Sequence, residues 1–295
     1  MKTLARISLL FLLYLILAGC WEDQINPPYK KTVDTASTAL CPPPAFSPTA
    51  THKRKVLLED YTGHRCGNCP NAARTAAALE QTYKEQLIVV AIHAGGLAVP
   101  DLGMPDDFRT DAGNKFNNDF LITTWPSGLI NRAGFPANHI RVQSEWAGAV
   151  SSILTNDPDM DIKIINDYNS NTKLLCMHVY AQYLKNFNDT LKLSLFLTED
   201  SIISPQVDDG DSTLPLDKIN PDYVHMHMLR AALNGIYGDV ILTGAGAKND
   251  TLVKNYAFDL SKYPNWVVKN LHVVAFIHKQ SNYEVIQADE EKVIQ

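Results

Sequence analysis

Beyond its first twenty residues, this chain lacks any long apolar run, and it also lacks a net basic charge. No later segment approaches the ~20 consecutive apolar residues that a membrane-spanning helix needs. Lysine and arginine number 26 against 32 aspartates and glutamates, which gives a formal net charge of −6. An acidic chain is a poor candidate for binding nucleic acid. The sequence also contains no internal repeat and no glycine-rich phosphate loop, which argues against repeat proteins and nucleotide-binding P-loop proteins.

The apolar run that does exist lies at the N-terminus. Lys2 and Arg6 precede the apolar residues 7–17, and Ala18-Gly19-Cys20 follows them. This order predicts a secretory signal over residues 1–19 rather than a membrane span, with an uncleaved N-terminal anchor as the alternative. The ending resembles a bacterial lipoprotein signal. The resemblance implies that Cys20 carries lipid, such as palmitate, and anchors the mature chain to a membrane. Residues 20–52, which are rich in proline, then predict an extended stalk.

Cysteine is scarce, and its five positions are informative. If Cys20 carries lipid, Cys41, Cys66, Cys69 and Cys176 remain, and four cysteines allow three pairings. In an oxidising compartment we expect a Cys66–Cys69 disulfide. Cys41 and Cys176 either pair or stay free, because bridging depends on distances that a sequence does not give.

The Cys66-Gly67-Asn68-Cys69 segment lies between a predicted strand at 55–61 and a predicted helix whose apolar stripe contains Ala72, Ala76 and Leu79. At a helix N-terminus the peptide dipole and free N–H groups lower the pKa of a thiol. The position therefore predicts either a thiol–disulfide exchange site or a disulfide that only holds the start of the helix.

The folded part of the sequence divides into two segments that differ in their pattern of apolar and polar residues. Residues 53–156 predict an α/β domain in which strands near 55–61, 87–92 and 128–131 are interspersed with three helices. Residues 157–295 predict an all-β antiparallel sandwich, because short alternating segments are separated by polar turns. These segments lie near 160–167, 173–183, 190–199, 251–259, 270–278 and 283–292, whereas residues 223–233 fit a strand or a helix equally.

Two motifs together carry a resemblance to a known family. The run Leu58-Glu59-Asp60-Tyr61-Thr62-Gly63, followed by Cys66-Gly67-Asn68-Cys69-Pro70, resembles the thioredoxin superfamily. Thr124-Trp125-Pro126-Ser127-Gly128 resembles the proline loop of that family. This likeness covers about residues 53–156.

A narrower resemblance extends over nearly the whole mature chain. When two further segments are included, the chain is similar to the Omp-twenty-eight-related outer-membrane lipoproteins of Bacteroidota. These segments are Ile130-Asn131-Arg132 and Tyr223-Val224-His225 with Arg230. This resemblance implies that a lipid attaches the protein to the outer membrane, with the body on the surface or on the periplasmic side.

The thioredoxin resemblance implies roles for four residues. Cys66 would be the more exposed thiol and the attacking thiolate, and Cys69 would resolve the mixed disulfide. Pro126 would be a cis proline facing the disulfide. Asp60 would be a buried acid that moves the proton of Cys69, or it would simply end a strand or cap a turn.

Two functions therefore remain open. The first is thiol–disulfide exchange on envelope or extracellular proteins, without a cofactor or metal. The second is a non-enzymatic, adhesin-like surface lipoprotein in which Cys66–Cys69 is structural.

The sequence departs from the thioredoxin motif at two positions. Arg65 replaces the tryptophan that usually precedes the first cysteine, and Pro70 is tolerable only in the first helical turn. His225 and His227 would share a strand face, where we expect satisfied or surface histidines rather than metal ligands.

Overall fold

The computed structural model describes residues 37–47 and 51–294. The predicted signal at 1–19 and the predicted lipidation site Cys20 lie outside the described residues. Three α-helices are present in this part: α1 (Cys69–Tyr83), α2 (Asp111–Asp119) and α3 (Trp146–Leu154). The strands are β1 (Val56–Thr62), β2 (Leu87–His93), β3 (Ser127–Ile130), β4 (Ile140–Arg141), β5 (Met160–Asn169), β6 (Leu174–Tyr183), β7 (Phe187–Asn188), β8 (Leu191–Glu199), β9 (Ile202–Ile203), β10 (Gln206–Val207), β11 (Ile219–Asn220), β12 (Val224–His225), β13 (Met228–Ala232), β14 (Asp239–Leu242), β15 (Ala245–Gly246), β16 (Thr251–Asp259), β17 (Leu271–Lys279) and β18 (Val285–Lys292).

A mixed nine-stranded sheet forms the centre of the molecule. Its order is β18-β17-β8-β13-β2-β1-β3-β4, and β14 also pairs with β8. Strands β1 and β2 are parallel, whereas β3 runs antiparallel to β1. Strand β13 joins β2 through one parallel pair, Met228 with Ala91. One sheet therefore contains strands from both predicted domains, and the division at 156/157, between α3 and β5, stays a prediction.

Helices α1 and α3 cover one face of the first part of this sheet. Alternate residues of β1 and β2 meet the apolar stripe of α1 there, as the period of two along a strand requires. The buried cluster contains Val56, Leu58, Ala72, Ala76, Leu79, Leu87, Val89, Ile130, Trp146 and Val150. Gly128 of β3 faces the Trp146 ring, which occupies the space that a Cβ would need.

Helix α2 lies on the opposite face, and the core there extends into the C-terminal strands. Phe116 and Phe120 pack in the same cluster as Phe196 of β8 and Phe276 of β17. The two parts of the chain thus share one hydrophobic core as well as one sheet.

A second, three-stranded sheet of order β16-β6-β5 packs on the C-terminal strands. Its inward residues, such as Val179 and Phe258, join Leu195 and Val273 of the large sheet in one cluster. Three two-stranded pairs complete the described part: β10 with β11, β12 with β9, and β15 with β7. The fold is therefore β-rich, with a mixed sheet and several small sheets.

The element bounds differ from the sequence prediction at two helix starts. The fourth-residue spacing of Phe108, Ala112, Phe116 and Phe120 predicts a helix that includes Phe108. Helix α2 begins at Asp111 instead, because the Thr110 hydroxyl accepts the Gly113 N–H and caps the helix. Phe108 is nevertheless buried. The spacing of Val142, Trp146, Val150 and Leu154 likewise predicts a helix that includes Val142. Helix α3 begins at Trp146, and Val142 precedes it and is exposed.

The ambiguous residues 223–233 form two short strands, β12 and β13. His227 separates them, with a φ of 54° that interrupts an extended chain. His225 and His227 consequently do not share a strand face, and that prediction was wrong.

The two remaining cysteines are joined: Cys41 forms a disulfide with Cys176 of β6. Residues 42–47 follow Cys41 across the three-stranded sheet, where Phe46 stacks on Tyr180 with ring centroids 5.4 Å apart. A part of the chain that was expected as stalk is therefore tied covalently to the folded body.

Candidate functional site around the Cys66–Cys69 disulfide

Cys66 and Cys69 form a disulfide where the chain passes from β1 into α1. The turn closes through two backbone bonds, from Cys66 N–H to Gly63 O at 3.0 Å and from Cys69 N–H to Cys66 O at 3.1 Å. Pro70 is the second residue of α1, where a missing N–H removes no helical hydrogen bond. Gly63 packs against the Leu97 carbonyl, and an added Cβ would lie 2.5 Å from it.

Both cysteines are enclosed, and Cys66, expected as the more exposed thiol, presents hardly more surface than Cys69. The exposed fraction is 3% for Cys66 and 2% for Cys69. The cover comes from residues 204–211, here called the strap, which lie in the connection between β8 and β13. The sequence Asp208-Asp209-Gly210-Asp211 predicts a long loop, and nothing in it links these residues to the cysteines.

Backbone and side-chain hydrogen bonds hold the strap on the turn. Val207 N–H donates to His64 O at 2.9 Å, and Asp209 N–H donates to Gly67 O at 2.9 Å. The Gln206 amide donates to Cys66 O at 3.1 Å. The strap therefore caps carbonyl groups that the turn would otherwise present to solvent.

An ion pair ties the strap to helix α1. Both terminal nitrogens of Arg74 donate to the carboxylate of Asp208, at 2.9 and 3.1 Å. The Asp208 side chain is buried, whereas the Arg74 side chain is 51% exposed.

The peptide between Trp125 and Pro126 is cis. Ser127, the next residue, pairs with Tyr61 of β1. Pro126 thus immediately precedes the first residue of β3, beside the end of β1 from which the chain continues to Cys66.

Asp60 is a buried carboxyl on the α1 side of the sheet. It follows Val56 and Leu58 in the alternation of β1, and these two residues pack against α1. Burial raises the pKa of Asp60 to about 7, although the charge of His227 opposes the shift. Its Oδ1 atom has no hydrogen-bond partner.

A cluster of three buried histidines lies next to the disulfide, and sequence analysis missed it. The His93 ring is 5.3 Å from both the His225 and Phe108 rings, and 6.3 Å from the His64 ring. Burial lowers the pKa of all three histidines, to about 4 for His225. They come from three separate elements, so no local spacing signals the cluster.

A second polar network runs from α1 across the sheet. The His227 ring lies 3.1 Å from Glu80 and 3.6 Å from Asp200, and His272 links Asp200 to Glu290. Burial alone would lower the pKa of His227, but the carboxylates of Glu80, Asp200 and Glu290 raise it to about 9.

Within residues 37–47 and 51–294, no group of three or more His, Cys, Asp or Glu side chains could hold a metal ion.

Other residues of the sequence motifs have structural contacts. Arg132 pairs with Glu59 in the core, and Arg230 lies 3.2 Å from Glu199. Burial raises the pKa of Tyr223 to about 12.

None of the helices in the described part of the chain is both long and apolar enough to cross a bilayer.

Comparison with solved structures shows a similar fold. HBP35 of Porphyromonas gingivalis superposes with a TM-score of 0.62 at 16% identity, covering 83% of this chain and 77% of that one. At this identity the similarity concerns the fold alone. A domain of the outer membrane lipoprotein Omp28 from the same organism is 18% identical, with a TM-score of 0.30, over 46% of this chain and 88% of the domain.

Sequence comparison identifies the family. No curated protein sequence matches the chain significantly. Residues 113–295, more than half of the chain, match the family described as Outer membrane protein Omp28, and this range begins after the Cys66–Cys69 segment. The chain belongs to the Omp28 family of outer membrane proteins.

Proposed function

We propose that this protein is a lipid-anchored outer-membrane protein whose Cys66–Cys69 disulfide exchanges with thiols of other envelope or extracellular proteins. One observation carries the proposal: the buried Asp60 carboxyl, whose pKa lies near 7, on the sheet face that α1 and its first residue Cys69 cover. A disulfide that only held a helix start would not require an unpaired acid in the core, since such burial costs free energy. A proton-transfer role explains why an acid stands there.

The surrounding arrangement supports a thioredoxin-like site. Parallel strands β1 and β2, antiparallel β3, a helix beginning at Cys69 and the cis peptide before Pro126 occur in the order that the resemblance implies. In the finer description that we propose, residues 53–156 are a thioredoxin-like domain and residues 157–295 are a β-sandwich domain joined to it through the shared sheet.

The half-reaction balances without a cofactor. A substrate thiolate attacks Sγ of Cys66, a mixed disulfide forms, and Cys69 leaves as a thiolate that takes a proton from Asp60. A second substrate thiolate then attacks the substrate sulfur of the mixed disulfide and releases Cys66. Overall, two substrate thiols become one disulfide and the Cys66–Cys69 disulfide becomes two thiols. Of the two protons that the substrate thiols release to solvent, one restores Asp60 and the other protonates Cys66.

Anchoring is the second part of the proposal. The sequence Ala18-Gly19-Cys20 supports lipid attachment at Cys20, and the acidic body suits protein partners rather than nucleic acid. Labelling with radioactive palmitate should mark the wild type, and Cys20→Ser should lose both label and membrane fractionation. Protease digestion of intact cells will then tell which side the body faces. A Cys20→Ser variant that still fractionates with membranes would exclude the lipid anchor.

The exchange reaction is tested with Cys69→Ser, in which Cys66 has no resolving partner. We expect mixed disulfides with envelope proteins to accumulate, and a Cys66→Ser/Cys69→Ser control to trap none. The reduction potential of the wild type should lie above about −300 mV, the value below which structural disulfides typically fall. A lower potential together with no trapped partner would refute thiol exchange.

One observation favours a second, non-enzymatic function: both cysteines are almost fully enclosed. In that case the Cys66–Cys69 disulfide is structural, and the loops and strand edges of residues 157–295 bind the partner protein. The Cys66→Ser/Cys69→Ser variant would then keep partner binding and lose only stability. Pull-down of envelope proteins by this variant and by the wild type separates the two functions.

A further inference from the structure

The strap lies over the Cys66–Cys69 turn as an extended polypeptide would. The N–H groups of Val207 and Asp209, two residues apart, donate to backbone carbonyls of the turn. Asp208 lies between them, and its side chain reaches Arg74 instead. This alternation is that of a strand bound through one edge.

The other edge of the strap is also paired. Strand β10, which lies within the strap, is antiparallel to β11, with Val207 opposite Ile219. Ser204, where the strap begins, donates to Asp106 at 2.7 Å. The strap is therefore the inner strand of a small ribbon whose outer strand lies away from the disulfide.

The contact leaves no room at the turn itself. The Asp209 carboxylate occupies the position that a Cβ on Gly67 would take. Together with Gln206 on the Cys66 carbonyl, this contact explains why Cys66 is 3% exposed although it lies at a helix start. A protein thiol cannot reach Cys66 while the strap is in place.

We propose that the strap is a built-in gate on the disulfide, and that an extended acidic polypeptide opens it by taking its place. The proposal rests on the proposed thiol-exchange function. The incoming segment would use its own N–H groups on the His64 and Gly67 carbonyls and would place a carboxylate on Arg74. The substrate class is thus an unfolded or extended thiol-containing polypeptide with an acidic residue near its cysteine.

The ionic anchor of the strap suits a reversible gate. The Arg74 side chain is half exposed, whereas the Asp208 side chain is buried, so water reaches the pair from the Arg74 side alone. A carboxylate that takes the place of Asp208 restores the same pair with Arg74. A competing carboxylate can therefore replace Asp208 at small cost. The backbone bonds are likewise of a kind that any extended chain can supply.

Access to the disulfide is tested first, with a small reductant. Asp208→Asn and Arg74→Gln each remove the ion pair, whereas Lys53→Gln removes a pair with Glu85 in which both partners are exposed, beyond the C-terminal end of α1. The rate of reduction by tris(carboxyethyl)phosphine is followed by alkylation and mass spectrometry. We expect about a fivefold or greater acceleration in both strap variants and none in Lys53→Gln. About fivefold is the upper end for loss of an exposed pair, and in the strap pair the Asp208 side chain is buried.

Equal rates in all four proteins would overturn the gate. Two controls verify that each variant is folded. Its far-ultraviolet circular dichroism spectrum should match that of the wild type, and Cys41 and Cys176, which are joined in a disulfide, should stay protected from alkylation as in the wild type. Should Arg74→Gln fail to fold, Asp208→Asn alone decides, because it changes one atom of a strap side chain and leaves α1 intact.

The substrate class is tested with two synthetic dithiol peptides that differ only in an aspartate or an asparagine beside the cysteines. We expect the aspartate peptide to react faster with the wild type, and the preference to disappear in Arg74→Gln. Equal rates of the two peptides with the wild type would overturn the acidic-substrate part. If Asp208→Asn accelerates reduction by the phosphine but neither peptide is oxidised, the gate stands and the exchange function fails.

Discussion

The guanidinium of Arg132 donates hydrogen bonds to both carboxylate oxygens of Glu59, at 2.7 and 2.6 Å, and both side chains are completely buried. The aromatic rings of Phe116, Phe120 and Phe276 surround the cation at 4.8 to 5.1 Å. Because Phe276 belongs to β17 and Glu59 to β1, this pair lies where the two parts of the chain share their core.

We predict that Arg132→Met destabilises the protein by roughly 3–5 kcal/mol, since it leaves the Glu59 carboxylate buried without a partner. The double variant Glu59→Gln/Arg132→Met should recover much of that loss, because no charge remains in the core. The free energy of unfolding in urea measures both variants. If the double variant is as unstable as the single one, packing rather than charge pairing sets the cost.

Asp60→Asn should stabilise the protein at high pH and not at low pH. Burial raises the pKa of Asp60 from 3.8 to about 7, so the folded state holds a proton that the unfolded state releases. Stability therefore falls as pH rises from about 4 to 7, and the full cost above that window is about 4 kcal/mol. Unfolding in urea at pH 4 and pH 8 should show a gain of that order for Asp60→Asn at pH 8 alone.

The same variant tests the chemistry. Without an ionisable group at position 60, release of Cys69 during exchange should slow, while the disulfide itself still forms. A stability gain of equal size at pH 4 and pH 8 would mean that the titration of Asp60 is not its origin. An unchanged exchange rate would remove Asp60 from the mechanism.

Much of the first part of the fold follows from local sequence. The continuous apolar run of β2 is typical of a strand covered on both faces, and the shorter run Val56 to Leu58 opens β1. Both strands are where the sequence predicts them. The stripe Ala72, Ala76 and Leu79 likewise predicts α1. These signals depend only on periodicity within one element, which a sequence displays directly.

The cover over the disulfide could not be predicted in this way. Gln206 and Cys66 are far apart along the chain, and the strap residues carry no apolar pattern that requires burial. The continuous sheet was hidden for a similar reason, because it depends on a single pair between Met228 and Ala91. Both features arise from tertiary pairing, for which one sequence offers no periodic signal.

Acidification should destabilise the protein through His225. Burial lowers the pKa of His225 from 6.5 to about 4, so the unfolded state takes up a proton first as pH falls. This contribution is intact above pH 6.5 and is lost between about 6.5 and 4, with a total of about 3 kcal/mol. Nearby Asp106 and the carbonyl of Ser204 favour the proton, whereas the neighbouring His64 opposes it.

The measurement compares the wild type with His225→Gln at pH 7 and pH 4.5. Asp60 titrates in the same range with the opposite sign, so only the difference between the two proteins isolates His225. We expect the wild type to lose more free energy of unfolding than the variant over this range. Parallel curves would show that protonation of His225 does not limit acid stability.

The two disulfides should contribute very different amounts to stability. Cys41–Cys176 joins residues 135 apart in sequence, whereas Cys66–Cys69 joins residues only three apart. In the chain-entropy description, the long loop stabilises the folded state by about 4–5 kcal/mol, because the bond restricts the unfolded chain, and the short loop by less.

We therefore predict that Cys41→Ser/Cys176→Ser lowers the free energy of unfolding by about 4 kcal/mol, and that Cys66→Ser/Cys69→Ser lowers it by less. Urea unfolding under oxidising conditions measures both, and the wild type in reductant serves as the reference for loss of both bonds. The position of Cys41 sharpens the test, because residues 37–47 lie at the beginning of the described chain and pack on one sheet face. If the long bond acts on the unfolded chain, the Cys41→Ser/Cys176→Ser variant should keep the native fold while unfolding at lower urea. Equal losses in the two variants would mean that local strain or packing at each bond outweighs the loop that it closes.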